Sequence, residues 1–340
     1  FAGGIPGDIW ESLVEDEWKP LRNRAIQNHY PPGSIHKAIV AAALLEEGIV
    51  DTESTVTCRG MFRYGRRNYR CWKRGGHGVV DLKTALKRSC DVYFYTYGVQ
   101  LGIDKMAEHA KSFGLGGRTG IELGGEQPGL IPSADWKQGR FGEPWYPGET
   151  VSASIGQGYN LYTPLQLAVA YAAIANGGTV HRPRLVLRLD DRDGVTERRF
   201  PVKEEGRVSV SDEHLALVRD GLMAVVQEPG GTGGRARIPG MLVAGKTGTA
   251  QVVRLEQYEG LEEHEIPVRF RDHAWFGAYA PADDPKIAIG VFVEHGLHGS
   301  SAAGPIARRI LEAWLAKQQP DAGAAVDERV AATGGSHAGH

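Results

Sequence analysis

Cysteine is scarce in this chain: among 340 residues there are only three, and all of them lie between Cys58 and Cys90. So few cysteines exclude the dense disulfide framework that small secreted domains use. An excess of one charge is also missing, since 39 lysines and arginines offset 41 aspartates and glutamates to a formal net charge of −2. This balance gives no indication of a nucleic-acid partner.

Long apolar runs are missing as well, because none approaches the roughly 18 residues that a membrane-spanning helix needs. No Pro- or Ser-rich linker and no internal repeat divides the chain, so we predict one domain over residues 1–319. Residues 320–340 are rich in Ala and Gly without apolar periodicity, and we expect a disordered tail there. The start at Phe1 is unlike a signal peptide, which leads us to expect a fragment of a longer protein.

Three short polar motifs indicate a nucleophilic serine site. Ser34 follows the stiff turn Pro31-Pro32-Gly33 and precedes an apolar helical stretch, which places it at a helix N-terminus, where backbone N–H groups favour a developing oxyanion. Lys37 is one turn later on the same face, within reach of the Ser34 hydroxyl. We expect a dry pocket and the charge of Lys246 to keep its amine neutral. A plain helix cap at Ser34 is the alternative. The motifs are Ser34-Ile-His-Lys37, the middle motif Ser89-Cys90-Asp91, and Lys246-Thr247-Gly248.

The third motif is predicted to lie inside a strand, because apolar residues flank it on both sides. Gly248 leaves room for a ligand backbone. Lys246, Thr247 and Thr249 would line the strand with one cation and two hydroxyls, which suits the terminal carboxylate of a peptide. The Thr249 and Ser34 backbone N–H groups would form an oxyanion hole. An ordinary exposed strand is the alternative.

The cysteines form a second group of candidates, since His77 lies among Cys58, Cys71 and Cys90. Three thiols and one imidazole match a closed structural zinc site. Their spacing is looser than that of a zinc finger, so a Cys58–Cys71 disulfide with one free cysteine stays open. A metal bond at Cys90 would hold the backbone of the middle motif in place.

The motifs and several longer stretches resemble the transpeptidase domain of class B penicillin-binding proteins, from Phe1 to about Gln319. The family usually has Ser-x-Asn as its middle motif, and Asp91 is the form found in its elongation-type members of Gram-negative bacteria. Ile35-His36 departs from the family pattern, and we expect His36 to point away from Lys37. The matching stretches are Tyr30–Ser34, Cys71–Lys73, Gly76–Gly78, Glu143–Gly148, Ile155–Gly158 and His273–Pro281.

The resemblance implies a serine-type D,D-transpeptidase of the D-Ala-D-Ala carboxypeptidase class that crosslinks peptidoglycan during cell elongation. Ser34 would be acylated, Lys37 would act as the general base, and Ser89 would relay a proton to the leaving amine. Asp91 would hold Lys37, and β-lactams would acylate Ser34. The two remaining alternatives are a serine β-lactamase, for which no dedicated deacylating Glu motif is present, and a catalytically silent sensor.

The resemblance also bears on cofactors, partners and location. Relatives carry a structural zinc held by Asp, Asp, His and Cys, with Cys58 and Cys71 standing where those aspartates lie. The chemistry itself would need no cofactor. We expect an upstream membrane anchor and pedestal domain, a place on the periplasmic face of the inner membrane, a SEDS-class glycosyltransferase partner and a rod-complex scaffold.

The coarse pattern predicts an α/β (α+β) fold in which helices flank an antiparallel sheet, as in serine β-lactamases and penicillin-binding proteins. The predicted strands are Met241 to Arg254, His273 to Ala280 and Lys286 to Glu294. The predicted helices cover Ala38 to Leu45, Leu82 to Gly98 and Ile306 to Leu315, with further helices beginning at Ser133, Thr163 and Ser211.

Overall fold

The computed structural model describes residues 3–252, 261–262 and 264–318, so the predicted tail lies outside the described residues. The helices are α1 (Gly7–Glu15), α2 (Arg24–Gln27), α3 (Lys37–Glu46), α4 (Leu82–Lys87), α5 (Asp91–Leu101), α6 (Ile103–Ser112), α7 (Ala134–Phe141), α8 (Pro147–Ala153), α9 (Pro164–Ala175), α10 (Asp212–Gln227) and α11 (Gly304–Gln318). The strands are β1 (Val56–Cys58), β2 (Met61–Tyr64), β3 (Arg67–Arg70), β4 (Gly78–Val80), β5 (Thr179–His181), β6 (Arg188–Asp190), β7 (Thr196–Arg199), β8 (Glu204–Arg207), β9 (Ala244–Ala250), β10 (His273–Ala280) and β11 (Ile287–Val293).

The main sheet is antiparallel, in the order β11-β10-β9, which confirms the prediction of three consecutive strands. Successive residues of β10 face opposite layers, as the period of a strand requires. Phe276 packs in the cluster that contains Leu311 of α11, whereas Trp275 and Tyr279 pack in the cluster that contains Tyr171 of α9. The sheet therefore lies between helices on both faces, as predicted.

Helix α3 runs through the middle of the molecule. All of its residues from Lys37 to Leu45 are buried, and a helix that is apolar on every side is stable only inside a core. Helices α5, α6 and α10 pack around it. Because Ser34 stands just before α3, the predicted nucleophile is held by the most buried helix of the fold.

The predicted starts of three later helices are confirmed by their caps. The Ser133, Thr163 and Ser211 side chains accept hydrogen bonds from the backbone N–H groups of Trp136, Gln166 and His214. Each such cap satisfies one of the unpaired donors in the first helical turn. Local side-chain chemistry was therefore sufficient to place these boundaries.

The single helix predicted from Leu82 to Gly98 is wrong, because α4 and α5 are separate. Ser89 lies between them with φ 55°, in the left-handed region that interrupts an α-helix. The Cys90 N–H closes the end of α4 by donating to the Ala85 carbonyl.

Four two-stranded sheets were not predicted from the sequence: β1-β4, β2-β3, β5-β8 and β6-β7. Among the described residues, no helix is both long enough and apolar enough to cross a bilayer.

Candidate active site

Ser34 lies in a 3₁₀ turn, Gly33–His36, that leads directly into α3. Gly33 has φ 56°, and a Cβ atom at this position would collide with the Thr249 carbonyl oxygen. Only glycine combines this backbone conformation with so close an approach. The turn therefore sets the half-buried Ser34 against the backbone of β9, where the predicted oxyanion hole with Thr249 stays a prediction.

Lys37 connects the first motif to the middle motif. Its Nζ donates to Asp91 Oδ1 at 2.6 Å, to the Ser89 carbonyl oxygen at 3.0 Å and to Ser89 Oγ at 3.3 Å. The Lys37 side chain is fully buried and that of Asp91 is 9% exposed. Burial raises the pKa of Asp91 above its usual range, although the charge of Lys37 acts in the opposite direction.

The middle motif is presented by the break between α4 and α5. Because Ser89 lies in the break and Asp91 begins α5, both side chains reach the same lysine. Asp91 Oδ2 accepts from the Trp72 N–H at 2.8 Å, and Trp72 Nε1 donates to the Ser89 carbonyl oxygen at 3.0 Å. Trp72 thus fixes the backbone of the middle motif from the exposed side of the site. The sequence did not indicate this role.

Lys246 occupies β9 at the edge of the main sheet, where the described strands leave one side without a strand partner. Its side chain is fully buried, and its Nζ donates to the Thr247 carbonyl oxygen at 3.0 Å. Burial, together with the positive charge of Lys37, lowers the pKa of Lys246 well below its usual range. The structure pairs Lys37 with Asp91, and the neutral amine that the sequence predicts at Lys37 stays a prediction. Burial favours the neutral form at Lys246, which the sequence treats as a cation.

β9 packs against the Ser34 turn at Gly248, so the space that the sequence predicts for a ligand backbone is taken by the turn itself. A Cβ atom at Gly248 would lie 3.0 Å from the Pro32 carbonyl oxygen and from a methyl group of Ile35. Thr247 is buried and Thr249 is half-buried, so the predicted hydroxyls lie along the strand that borders Ser34.

Two further residues position this edge and were not assigned from the sequence. Thr232 Oγ1 lies 2.8 Å from Thr247 Oγ1, and Gln157 Nε2 donates to the Thr249 carbonyl oxygen at 3.2 Å. Gln157 lies in the Ile155–Gly158 stretch that matches the family, but nothing local marks Thr232, because its partner lies 15 positions away in the sequence.

The four predicted metal ligands converge behind the middle motif. Cys58, Cys71, His77 and Cys90 are all buried, and their ligand atoms lie within 4.8 Å of one another. His77 Nδ1 lies 3.6 Å from Cys58 Sγ and 3.5 Å from Cys71 Sγ. A tetrahedral zinc with bonds of about 2.3 Å to sulfur and 2.0–2.1 Å to nitrogen separates such ligands by about 3.6 Å.

The donor set therefore fits a tetrahedral metal ion. All three cysteines are free thiols, so the alternative Cys58–Cys71 disulfide is not formed. Pairing of β1 with β4 brings Cys58 opposite Gly78, next to His77 in the chain. The end of β1, the residue after β3, the residue before β4 and the residue before α5 therefore meet at one point.

Comparison with known proteins gives consistent results. The model of the penicillin binding protein transpeptidase domain matches residues 9–312. The peptidoglycan D,D-transpeptidase MrdA of Acinetobacter baumannii is 40% identical over 319 residues, covering 93% of this chain and 47% of that protein. The chain therefore spans about half the length of the curated relatives it matches.

Two solved structures show the same fold. Penicillin-binding protein PBP2 of Pseudomonas aeruginosa in complex with WCK 5153 is 36% identical with a TM-score of 0.80, covering 92% of this chain and 67% of that one. PBP2 of Helicobacter pylori in complex with MreC is 32% identical with a TM-score of 0.78, covering 91% of this chain and 54% of that one.

Proposed function

The chain belongs to the penicillin-binding protein transpeptidase family, and we propose that it crosslinks peptidoglycan as a serine D,D-transpeptidase. The observation that carries this proposal is the convergence of the three motifs. Lys37 contacts both polar residues of the middle motif, and Gly33 and Gly248 bring the Ser34 turn against the strand that carries Lys246.

In the proposed first half-reaction, Ser34 Oγ attacks the carbonyl carbon of the penultimate D-Ala of a stem pentapeptide. Lys37 gives a proton to Asp91, 2.6 Å away, and then takes the proton of Ser34; burial raises the pKa of the Asp91 carboxyl and so favours the first transfer. The peptide C–N bond then breaks, and the amine of the terminal D-Ala takes a proton through Ser89. The product is an ester on Ser34.

In the second half-reaction, an amine of a neighbouring stem peptide attacks the ester carbonyl carbon. A new amide forms, the C–O bond to Ser34 breaks, and the proton that the amine loses returns to Ser34 Oγ through Lys37. Thr247 and Thr249 would bind the terminal carboxylate of the donor peptide, and the Ser34 and Thr249 N–H groups would stabilise the oxyanion in both steps.

We further propose an elongation-type role. The Asp91 form of the middle motif and the similarity to proteins named MrdA support it. Since the H. pylori relative is in complex with MreC, a scaffold of that kind is the proposed partner, alongside a SEDS-class glycosyltransferase suggested by the family resemblance. The same resemblance supports a position on the periplasmic face of the inner membrane.

Zinc is the metal that we propose for Cys58, Cys71, His77 and Cys90, because thiolate and imidazole suit it and the set leaves no open position. Bound zinc would supply a structural crosslink and take no part in the reaction. Metal analysis of the purified protein should give about one zinc per chain, and Cys58→Ala should lose it. A matched His109→Gln variant, which changes a buried histidine outside this cluster, should keep it.

Intact mass after incubation with a penicillin tests the function. We expect a stable one-to-one adduct that Ser34→Ala abolishes and Ser112→Ala retains, since the Ser112 hydroxyl caps its own helix by donating to the His109 carbonyl oxygen. Rapid return to the free mass with hydrolysed drug would identify a β-lactamase. Absence of any adduct would favour a silent sensor and overturn the proposal.

A further inference from the structure

An exposed basic surface lies beside the candidate site, on and around the β2–β3 hairpin. Between Arg59 and Val80 the chain has no acidic residue, although its overall net charge is −2. The exposed cations with no acidic partner among the described residues form what we call the basic hairpin surface: Arg59, Arg63, Arg66, Arg67 and Lys73. Arg70 and Arg74 are exposed next to them.

The hairpin that carries this surface is fixed to the protein. On its inner face, the rings of Phe62 and Tyr69 each lie 5.9 Å from the ring of Tyr95. Tyr69 OH donates to the Gly148 carbonyl oxygen at 3.0 Å, and Tyr95 OH donates to the Arg70 carbonyl oxygen at 3.2 Å. The cations are therefore displayed on a packed hairpin rather than on an unanchored loop.

The hairpin is also continuous with the catalytic motifs. Its second strand leads through Cys71 into Trp72, whose N–H and indole bond Asp91 and the Ser89 carbonyl. Asp91 in turn holds Lys37. The basic hairpin surface is therefore joined through Trp72 to the residues that present the middle motif.

Several uncompensated cations distributed over one hairpin attract an anion that carries more than one negative group. Guanidinium groups bind carboxylates through paired hydrogen bonds. If the proposed function holds, the substrate is a glycan strand whose stem peptides each carry free carboxylates. We infer that the basic hairpin surface binds carboxylates of the stem peptides next to the one that reacts, and so holds the strand along the cleft.

The continuity with Asp91 favours this ligand over a membrane. A carboxylate within one stem peptide of the reacting D-Ala lies close to the site, and Trp72, just after the hairpin, contacts the middle motif of that site. The five cations are spread over both ends of the hairpin, which suits a long polyanion better than one compact phosphate group. Binding to such a surface should weaken at high ionic strength, because exposed charges are screened.

Cosedimentation of the full chain with purified peptidoglycan sacculi tests the inference. Arg63→Glu/Arg66→Glu should lower the association constant about tenfold at low ionic strength, since two attractive charges become repulsive. Arg192→Glu/Arg199→Glu makes the same change in net charge on the exposed β6–β7 hairpin and should change the constant less than about twofold. Sacculi whose carboxylates have been amidated should bind neither variant nor wild type appreciably.

Equal loss in both double variants, or no loss in either, would overturn the inference, as would unchanged binding to amidated sacculi. Binding to phosphatidylglycerol vesicles without binding to sacculi would assign the surface to a membrane instead. The penicillin adduct, measured on the same wild-type sample, reports the proposed function separately. A penicillin adduct without sacculus binding would contradict only the inference about the basic hairpin surface. Sacculus binding without an adduct would contradict only the proposed transpeptidase function.

Discussion

Lys37 Nζ and Asp91 Oδ1 lie 2.6 Å apart, in a pair whose side chains are 0% and 9% exposed. An ion pair this buried is costly to break from one side, because the remaining charge has neither water nor a partner. A change to either residue of the pair should therefore alter both the acylation rate and the free energy of unfolding.

Replacing Lys37 by Met should slow acylation by penicillin by about 10²–10⁴-fold, the range expected for loss of a general base. Asp91 then loses the charge that opposes its burial, so its folded pKa rises further above the unfolded value. The free energy of unfolding should consequently fall as pH rises above about 4, because the unfolded carboxyl ionises first. Urea unfolding at pH 5 and pH 8 measures this. Lys37→Met/Asp91→Asn should regain stability at pH 8 without regaining acylation; equal destabilisation at both pH values would contradict the account.

Lys246 should lower the free energy of unfolding of the protein, although acylation depends on it. Burial lowers its folded pKa below the unfolded value, so below pH 10.5 the unfolded chain holds a proton that the folded chain releases. Lys246→Met should therefore be more stable than wild type at pH 7, and the gain should shrink towards pH 10.5. Acylation should slow by about 10²-fold. Urea unfolding across this pH range measures the gain, and the exposed Lys111→Met should show no such pH-dependent gain. A Lys246→Met protein that is less stable throughout would refute this.

Thr232 should act through Thr247 rather than on the reaction. Removing the 2.8 Å hydroxyl contact with Thr232→Val frees the Thr247 hydroxyl to rotate, and acylation should slow about two- to tenfold, the worth of one hydrogen bond. Thr232→Ser should restore the rate. The second-order acylation constant is the measurement, and Thr96→Val, which removes a hydroxyl bonded to the Val92 carbonyl oxygen, is the control.

A double variant tests the coupling directly. If Thr232 acts through Thr247, adding Thr232→Val to Thr247→Val should cost little more than Thr247→Val alone. Additive losses would show that Thr232 acts independently.

Metal removal should affect acylation as well as stability. Cys90 lies between Ser89 and Asp91, so loss of a bond at Cys90 loosens both groups that hold Lys37. After chelation the melting temperature should fall, and the acylation rate should drop about 10–100-fold, as for loss of support around a site. Added zinc should restore both. An unchanged acylation rate in verified metal-free protein would mean that the cluster stabilises the fold alone.

His36 should make the protein sensitive to acid. Its ring is fully buried beside Tyr162, and burial lowers its pKa to about 3. Below pH 6.5 the unfolded chain binds a proton here that the folded chain does not, so stability falls by about 1.4 kcal/mol per pH unit as pH drops towards 3. His36→Gln should flatten the urea-unfolding profile between pH 6.5 and 4, and the exposed His29→Gln should not. An unchanged slope in His36→Gln would contradict the assignment.

Local chemistry was enough to predict much of this protein from its sequence. Helix starts at Ser133, Thr163 and Ser211 follow from side chains that cap nearby backbone donors. The strands of the main sheet follow from apolar runs, and the candidate site residues follow from three motifs in a fixed order. Each of these signals depends on residues a few positions apart.

Only the tertiary structure decided which groups meet and how burial changes them. Lys37 contacts Ser89 and Asp91 across 52 and 54 positions of the chain, and Thr232 meets Thr247 between separate elements. The break at Ser89 depends on how α4 and α5 pack. The helical pattern of the sequence continues through Ser89, so the sequence predicts one helix there. The sequence predicts a cation at Lys246, whereas burial and the nearby charge of Lys37 favour its neutral form. A pKa depends on desolvation and on charges brought close by folding, and a local sequence pattern specifies neither.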